Sequence, residues 1–310
     1  MLLNLHTILQ EGKMNEIIDT FYDEYKNPVF SAYLSIVPTE KRQKRLHRHT
    51  EFEVSLILLG GGVYDTENGV YSFTKGDVFL YSTNEYHCIT EITAPRGESL
   101  TLLNLHFSPA FIYSDDAVKD FAFMNVFFNR TDTFKNILDR NNPEILAVRD
   151  KFLKIKAECE EKRPCYKAEV KNLLVSILIS VFRDFNLARF DKPSLAASGE
   201  MEGLQKAIVY INERFDGEIK LDDIAAAACL SKFHFIRLFK ASYNMTVWDY
   251  INIKRVDAAI NLLSTTSDSV INVALKCGYS TPANFNRIFK KITGTTPKDY
   301  RKHLRRKSDG

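Results

Sequence analysis

The chain has 310 residues, of which 45% are hydrophobic and 26% charged, with a net charge of +3. That is enough length for two domains with separate cores, and an ordinary globular composition, which excludes a disordered, collagen-like or membrane-bundle chain. The charge is unevenly placed: residues 201–310 hold 18 Lys and Arg against 11 Asp and Glu, the rest 24 against 28. A basic C-terminal third on a slightly acidic remainder points to a polyanionic partner for that third.

The cysteines, Cys88, Cys159, Cys165, Cys229 and Cys277, are odd in number and lack paired short spacings. This argues against a disulfide framework or a Cys-rich zinc site and fits a reducing compartment. The opening stretch MLLNLHTILQEGKMNE has no basic start, apolar core or small-residue cleavage site. The most apolar run, Leu173 to Phe182, covers ten residues, too few to span a bilayer. A cytoplasmic protein with no membrane partner is expected.

From about residue 20 to 110 the texture is short apolar or alternating runs: EVSLILL, VYSF, DVFLYS and LTLLNLHF. Turn signals at GGG, ENG and KGD separate them. Many short strands at close spacing predict a sandwich or barrel. Residues 111–189 turn helical. Pro143 to Glu161 carries an apolar stripe among charges, and Tyr166 to Phe185 is more apolar, with Pro164 between them. Such a pair can pack on the barrel or on its copy in a second subunit, and dimerisation is the expected role. Residues 190–202, FDKPSLAASGEME, read as a linker. Residues 203–307 are helical throughout.

The barrel region contains His47-Arg48-His49-Thr50-Glu51-Phe52-Glu53. Histidines at i and i+2 on a strand share a side, and Glu53 shares their parity, so all three can face a lumen. His87 closes the stretch that begins at Gly76, and His106 lies near the end of the strand region. Three imidazoles and a carboxylate suit a divalent metal such as Zn, Fe, Mn or Ni. They equally suit hydrogen bonds to an organic ligand, or a purely structural role. The basic run Lys41 to Arg45 before this motif reads as a solvated loop. No Ser/His/Asp order, GxGxxG or P-loop is present.

The most specific feature is a repeat. LSKFHFIRLFKASYNMTVWDY (230–250) and YSTPANFNRIFKKITGTTPKDY (279–300) share Phe235, Arg237, Phe239, Lys240, Thr246, Asp249 and Tyr250, recurring 50 residues later as Phe285, Arg287, Phe289, Lys290, Thr296, Asp299 and Tyr300. Each copy reads as helix, turn and helix, over 221–241 and 270–291. Ser231 and Thr281 are positioned as N-caps, Pro282 at the first helical position and Gly278 as a helix stop. The second helices put Phe235, Leu238 and Phe239, and Phe285, Ile288 and Phe289, on one face as core. Their other faces present Lys232, Phe233, Ile236 and Arg237, and Ala283, Asn286 and Arg287. Arg for guanine, Asn for adenine and apolar groups for thymine methyls are what a helix in a major groove needs. Lys240, Lys254, Arg255, Lys290, Lys291 and Arg301 are candidates for phosphate contacts.

The pattern Ala274, Gly278-Tyr279, Phe285, Arg287, Phe289-Lys290-Lys291, Gly294, Thr296-Pro297 and Tyr300-Arg301 resembles the signature of the AraC/XylS family of bacterial transcription regulators, over about residues 203–305. Asn244 stands where the first unit of the family usually has Gly. The His47–Glu53 run is similar to the first cupin motif, in which two His and a Glu hold a metal, and Gly76–His87 resembles the second. That second stretch departs from the cupin pattern, with Ser82-Thr83-Asn84 for Pro-x-Gly and Glu91 in place of the usual Asn. The resemblance implies an α+β protein: an N-terminal cupin-like β-barrel with trailing helices, then an all-α domain of two helix-turn-helix units. It implies double-stranded DNA as partner, a small-molecule effector such as a sugar or related metabolite, RNA polymerase, a homodimer and activation of transcription. The family's sensor barrels keep such His and Glu residues for organic ligands, so His47, His49, Glu53, His87 and His106 are candidate effector contacts. A metal on His47, His49, Glu53 and His87 is the other candidate, with no further cofactor and no enzymatic activity expected. Two alternatives stay open: a metal-dependent cupin enzyme fused to a DNA-binding module, and a constitutive DNA-binding protein whose barrel only dimerises.

Overall fold

The computed structural model describes residues 14–22, 28–39, 49–113, 122–189, 198–243 and 245–308. His47, the Lys41–Arg45 run, Asn244 and residues 190–197 of the expected linker lie outside them.

Eight strands form the N-terminal part: β1 (Met14–Tyr22), β2 (Pro28–Val37), β3 (Phe52–Leu59), β4 (Gly61–Thr66), β5 (Gly69–Thr74), β6 (Val78–Tyr81), β7 (His87–Thr93) and β8 (Leu100–Phe107). They make a five-stranded sheet in the order β1-β2-β8-β3-β6 and a three-stranded sheet β5-β4-β7. Ile57 and Leu102 of the first sheet share a core with Tyr64 and Phe73 of the second, so the sheets face each other. Along β3, Phe52, Val54 and Leu56 turn to the helical side, and Glu53 and Ser55 turn inward. Both faces of this central strand are covered, and its first six residues are buried for that reason. The β3–β8 register sets Glu53 opposite His106 and Ser55 opposite Asn104. The β2–β8 register sets Tyr33 opposite Asn104.

Short helices follow, α1 (Pro109–Tyr113), a 3₁₀ turn (Ala122–Met124) and α2 (Asn125–Phe128), then the pair α3 (Ile145–Glu161) and α4 (Tyr166–Asp184). Ile145, Val148, Phe152, Ile155 and Cys159 of α3, and Val170, Leu174, Ile177, Leu178 and Val181 of α4, join the core beneath the five-stranded sheet. The stripe read from the sequence is thus used on the chain's own barrel. Leu146 and Leu153 stay exposed on the opposite side of α3, at 67% and 49%. The turn around Pro164 is made by Lys162 and Cys165 in the left-handed region, at φ 51° and 65°.

The remaining helices are α5 (Ser198–Arg214), α6 (Leu221–Ala227), α7 (Lys232–Tyr243), α8 (Val247–Thr265), α9 (Val270–Lys276), α10 (Pro282–Thr293) and α11 (Pro297–Ser308). Helix α5 begins inside the segment expected to be linker, so at least residues 198–202 are helical rather than extended. The repeat is visible in the caps. Ser231 accepts from the His234 N–H at 3.4 Å, and Thr281 from that of Asn284 at 3.3 Å. Thr246 and Thr296 accept from Asp249 and Asp299 N–H at 3.1 and 3.2 Å.

The two units differ in what they pack against. Phe235, Leu238, Phe239, Tyr243, Tyr250 and Ile251 belong to one continuous core with the barrel and its helices. Val256, Ala259, Ile260 and Leu263 of α8 form a separate core with Phe285, Ile288 and Phe289. Helix α8 therefore serves both units. Arg255, near its middle, donates from Nε to the Phe215 carbonyl at 2.5 Å and from Nη2 to that of Gly217 at 2.9 Å. This ties the loop after α5 to the second unit.

Gly278 sits at that tie. Its φ is +79°, and a Cβ there would lie 2.8 Å from the Asp216 backbone and 2.9 Å from Arg255 Nη2. Gly97 has nearly the same φ, +82°, with nothing within 4 Å. Both Gly→Ala changes incur the left-handed penalty of about 1 kcal/mol, and only the Gly278 change adds a backbone collision. Gly278→Ala should therefore lower the thermal unfolding midpoint clearly more than Gly97→Ala in the full chain. Equal shifts would show that the Gly278 neighbourhood yields freely.

Candidate nucleic-acid interface and effector site

The outward faces of α7 and α10 are exposed in register. Phe233 is 86% exposed and Ile236 38%, and Lys232, Arg237, Ala283, Asn286 and Arg287 are exposed as well. Phe233 does not fold back on its neighbours. Each arginine is steadied by the residue three positions earlier. Arg237 Nη2 lies 3.1 Å from His234 Nδ1, and Arg287 Nη2 donates to Asn284 Oδ1 at 2.9 Å. His234 and Asn284 are themselves 50 residues apart, a correspondence the sequence reading passed over. Lys232 pairs with Asp222 at 2.9 Å, and Lys291 approaches Asp249 at 3.8 Å. Lys240 and Lys290 are exposed at the end of each helix's outward face.

Three of the six expected phosphate contacts are engaged elsewhere. Arg255 is committed to the Phe215 and Gly217 carbonyls. Arg301 donates to the carbonyls of Leu263 at 3.3 Å and of Asp268, joining α11 to the end of α8. Lys254 lies on the barrel side of α8, where its charge helps hold the Glu51 carboxyl below its ordinary value against the effect of burial. Sequence alone does not separate an arginine that caps carbonyls from one that meets phosphate, since both occupy helical surface positions.

Inside the barrel, His49, Glu53, His87 and His106 are brought together, each no more than 6% exposed. His49 precedes β3, Glu53 lies on it, His87 opens β7, and His106 is the cross-strand partner of Glu53. Glu53 Oε2 is 2.8 Å from His49 Nε2, 3.1 Å from His106 Nε2 and 3.4 Å from His87 Nε2. Its other oxygen accepts the Ser55 hydroxyl at 2.5 Å. Burial alone would raise the Glu53 pKa; His106, His49 and His87 outweigh it and hold the carboxyl well below the ordinary range. Burial would lower His49, but its bond to Glu53 raises it overall, whereas burial prevails at His106 and lowers it.

A polar stripe extends this cluster across the sheet. Tyr33 Oη lies 2.7 Å from His106 Nε2, Asn104 donates to Ser35 at 2.9 Å, and Ser35 donates to Asn15 at 2.8 Å. Parity from Glu53 would have found Ser55, but Tyr33 and Asn104 depend on strand register. The set proposed for a metal contained His47; among the described residues His106 completes the cluster. The donor set fits a borderline divalent metal chemically: imidazole nitrogens and one carboxylate oxygen, in a buried place.

The first DNA-reading unit lies directly outside. The Thr83 hydroxyl donates to the Tyr243 carbonyl at the end of α7. Asp257, one turn beyond Lys254, is pushed up to about 7 by burial, only partly offset by the Lys254 ammonium and reinforced by Glu51.

Comparison with known proteins gives the same two parts. Residues 27–139 match the family profile described as AraC-like ligand binding domain, and residues 224–303 the one described as helix-turn-helix domain. The HTH-type transcriptional activator RhaR of Mannheimia succiniciproducens is 25% identical over 95% of this chain and its own whole length. Regulatory protein SoxS of Escherichia coli is 32% identical over 33% of this chain and 94% of its own length. The solved structure of ToxT from Vibrio cholerae covers 88% of this chain and 98% of its own, at 14% identity and a TM-score of 0.52, and so shares the fold. No helix among the described residues is long and apolar enough to cross a membrane. With the doubled helix-turn-helix and the ligand-binding barrel in one chain, this protein belongs to the AraC family of DNA-binding transcription regulators.

Proposed function

We propose that this regulator works in the cytoplasm as a homodimer, reads two adjacent DNA elements with α7 and α10, and activates transcription with RNA polymerase when a small polar effector occupies the barrel. It acts by binding, without turnover. The observation that carries this reading is the repeated outward face, in which Arg237 and Arg287 hold the same position and the same kind of tether. Lys232, Phe233, Ile236 and Arg237 would read one groove, and Ala283, Asn286 and Arg287 the next. An exposed Phe233 gains a partner against thymine methyls. Lys240, Lys290 and Lys291 would meet phosphates. Leu146 and Leu153, two turns apart on α3, supply an apolar patch for a second subunit. The chemistry of the His49, Glu53, His87 and His106 cluster suits a polar effector, a sugar or related metabolite being the pattern that the family resemblance implies. The effector would act on DNA binding through the border that Glu51 and Thr83 share with α7 and α8.

Selection of bound sequences from a random DNA pool at near-physiological salt tests the reading. The expected result is a motif of two elements about one helical turn, roughly 34 Å, apart. Arg237→Ala and Arg287→Ala should each relax preference at one position and weaken binding by about 1–3 kcal/mol. Lys290→Ala should weaken all sequences alike and lower the salt slope by about one. If Arg287→Ala leaves affinity and base preference unchanged, α10 does not read bases.

The border has its own pH signature. A carboxyl whose folded pKa stands above its unfolded value is destabilising wherever the folded chain must give up that proton. Facing Lys254, Glu51 and His49, and pushed up to about 7, Asp257 should erode stability as pH rises from about 4 to 7, with the full cost present above that. Asp257→Asn should therefore unfold at a higher temperature than the wild type at pH 8 and at the same temperature near pH 4. A variant less stable at pH 8 would mean that Asp257 is used as an anion.

A further inference from the structure

The two sheets part along the outer edge of β5, the last strand of its sheet. Facing it is the segment 136–138, which runs against β6 of the other sheet. The Leu80 N–H donates to the Asn136 carbonyl at 2.8 Å, and the Leu138 N–H to that of Val78 at 2.9 Å. A cleft of about 580 Å³ lies between them, with residues 185–187 after α4 as its third wall. Small-molecule sites occupy about 300–1,000 Å³ and are largely formed before the ligand arrives.

The walls are held from behind. Asn136 is fully buried, and its Nδ2 donates to the Leu80 carbonyl at 2.8 Å and to Glu85 Oε1 at 2.7 Å. Glu85 pairs in turn with Arg130 at 2.8 Å. Asn142 Nδ2 donates to the Asp184 carbonyl at 2.7 Å, and the Thr131 N–H to that of Leu187 at 3.0 Å, which ties the third wall to the second. The cleft therefore has a fixed shape, unlike a gap between loops.

Its lining divides in two. Tyr71 and Phe185, both half-buried, join Ile137 and Leu187 in an apolar face, and Lys135 and Arg140 form a cationic one. Arg140 is held in place: its Nη2 donates to the buried Asp77 carboxylate at 2.8 Å and to the Ser72 carbonyl at 3.5 Å. These bonds use Nη2 alone and leave the N–H groups of Nε and Nη1 for another acceptor. The same carbonyl shows which way Ser72 points. In an antiparallel pair the N–H and C=O of one residue turn to one side, so the Ser72 N–H also faces the cleft. Asp139 lines the cleft as well, and its Oδ1 accepts the Asn141 N–H at 3.0 Å. With Asp77 and Asp139 set against Arg140 and Lys135, the site suits a single negative charge received on directed hydrogen bonds, not a polyanion. The aromatic face beside those donors suits a flat apolar body.

We propose that this cleft binds a small monoanionic organic molecule, a carboxylate on an aromatic or other flat apolar body. Its anionic group lies on Arg140, Lys135 and the Ser72 N–H, and its body against Tyr71 and Phe185. The site shares no residue with the Glu53 cluster and stands whatever occupies the barrel.

Titration of the full-length protein with anilinonaphthalenesulfonate, an aromatic monoanion whose fluorescence rises on leaving water, tests the site. Saturable binding is expected. Phenylnaphthylamine, the same rings without the sulfonate, should bind about tenfold more weakly. Arg140→Gln should weaken the anion about tenfold and Lys135→Gln about threefold, with neither changing the affinity of the neutral dye. Lys154→Gln, next to the exposed Leu153 on α3, should leave the anion's affinity unchanged, which separates the cleft from that apolar patch. Circular dichroism checks each fold. If Arg140→Gln, which strips Asp77 of its partner, fails to fold, the exposed Lys135 still decides the matter. No uptake by the wild type, equal affinity for the two dyes, or indifference to Lys135→Gln overturns the assignment. Loss on Lys154→Gln with none on Lys135→Gln overturns it in favour of the α3 patch.

Discussion

Helix α8 has almost no free side, and the geometry of the DNA reader follows from that. Val247, Tyr250, Ile251 and Ile253 pack into the first unit, and Val256, Ala259, Ile260 and Leu263 into the second. Lys254 and Asp257 carry the electrostatic contact with the barrel. In a close-packed interior a helix gripped on three sides cannot rotate or slide without opening voids. The spacing and tilt of α7 and α10 are thereby set by one rigid element. Arg255 adds two hydrogen bonds to backbone carbonyls across the waist, and Gly278 lets the two backbones meet there. A helix that reads base edges needs such stiffness, because an error of a few ångströms removes the bidentate contacts that distinguish bases.

The barrel carries the opposite kind of constraint. Glu53, Ser55, Asn104, His106, Tyr33 and Ser35 place a polar stripe where an apolar one would pack more cheaply. A buried carboxylate costs several kcal/mol of desolvation unless neighbours repay it, and well-packed apolar residues are often the more stable choice. The three imidazoles converge on one oxygen of Glu53 instead of dispersing into separate pairs.

Much of this was legible in the sequence, and the parts that were not share a cause. The helix-turn-helix units could be read because their determinants are local: core at i, i+3 and i+4, a cap, a turn residue, all repeated after 50 positions. His49, Glu53 and His87 could be read because the resembling motifs bring them together; strand parity does not cover His49, which precedes β3. His106 was a weaker candidate, and Tyr33 and Asn104 were missed, because their place depends on the β2–β8–β3 register, a pairing across about 50 to 70 residues of chain. Lys254, Arg255 and Arg301 were assigned to phosphate because charge on a helix looks alike until its partners are known. The start of α5 was hidden by small residues that suit a linker and a helix equally.

The two constraints meet at the border between barrel and first unit. That unit shares a continuous core with the barrel and its helices, whereas the second has a core of its own. An effector in the barrel therefore acts on the first unit directly and on the second only through α8. Full release of the reader would expose the shared core, around Tyr243 and Tyr250, at a cost far above the 1–3 kcal/mol that typical coupling supplies. A shift small enough to keep that core packed, yet large enough to alter the Thr83–Tyr243 bond and the Glu51–Lys254 attraction, is within reach of a ligand that changes the charge beside His49 and Glu53. Because α8 is gripped by both cores, a shift of that size would carry α7 and α10 together and leave the distance between them unchanged.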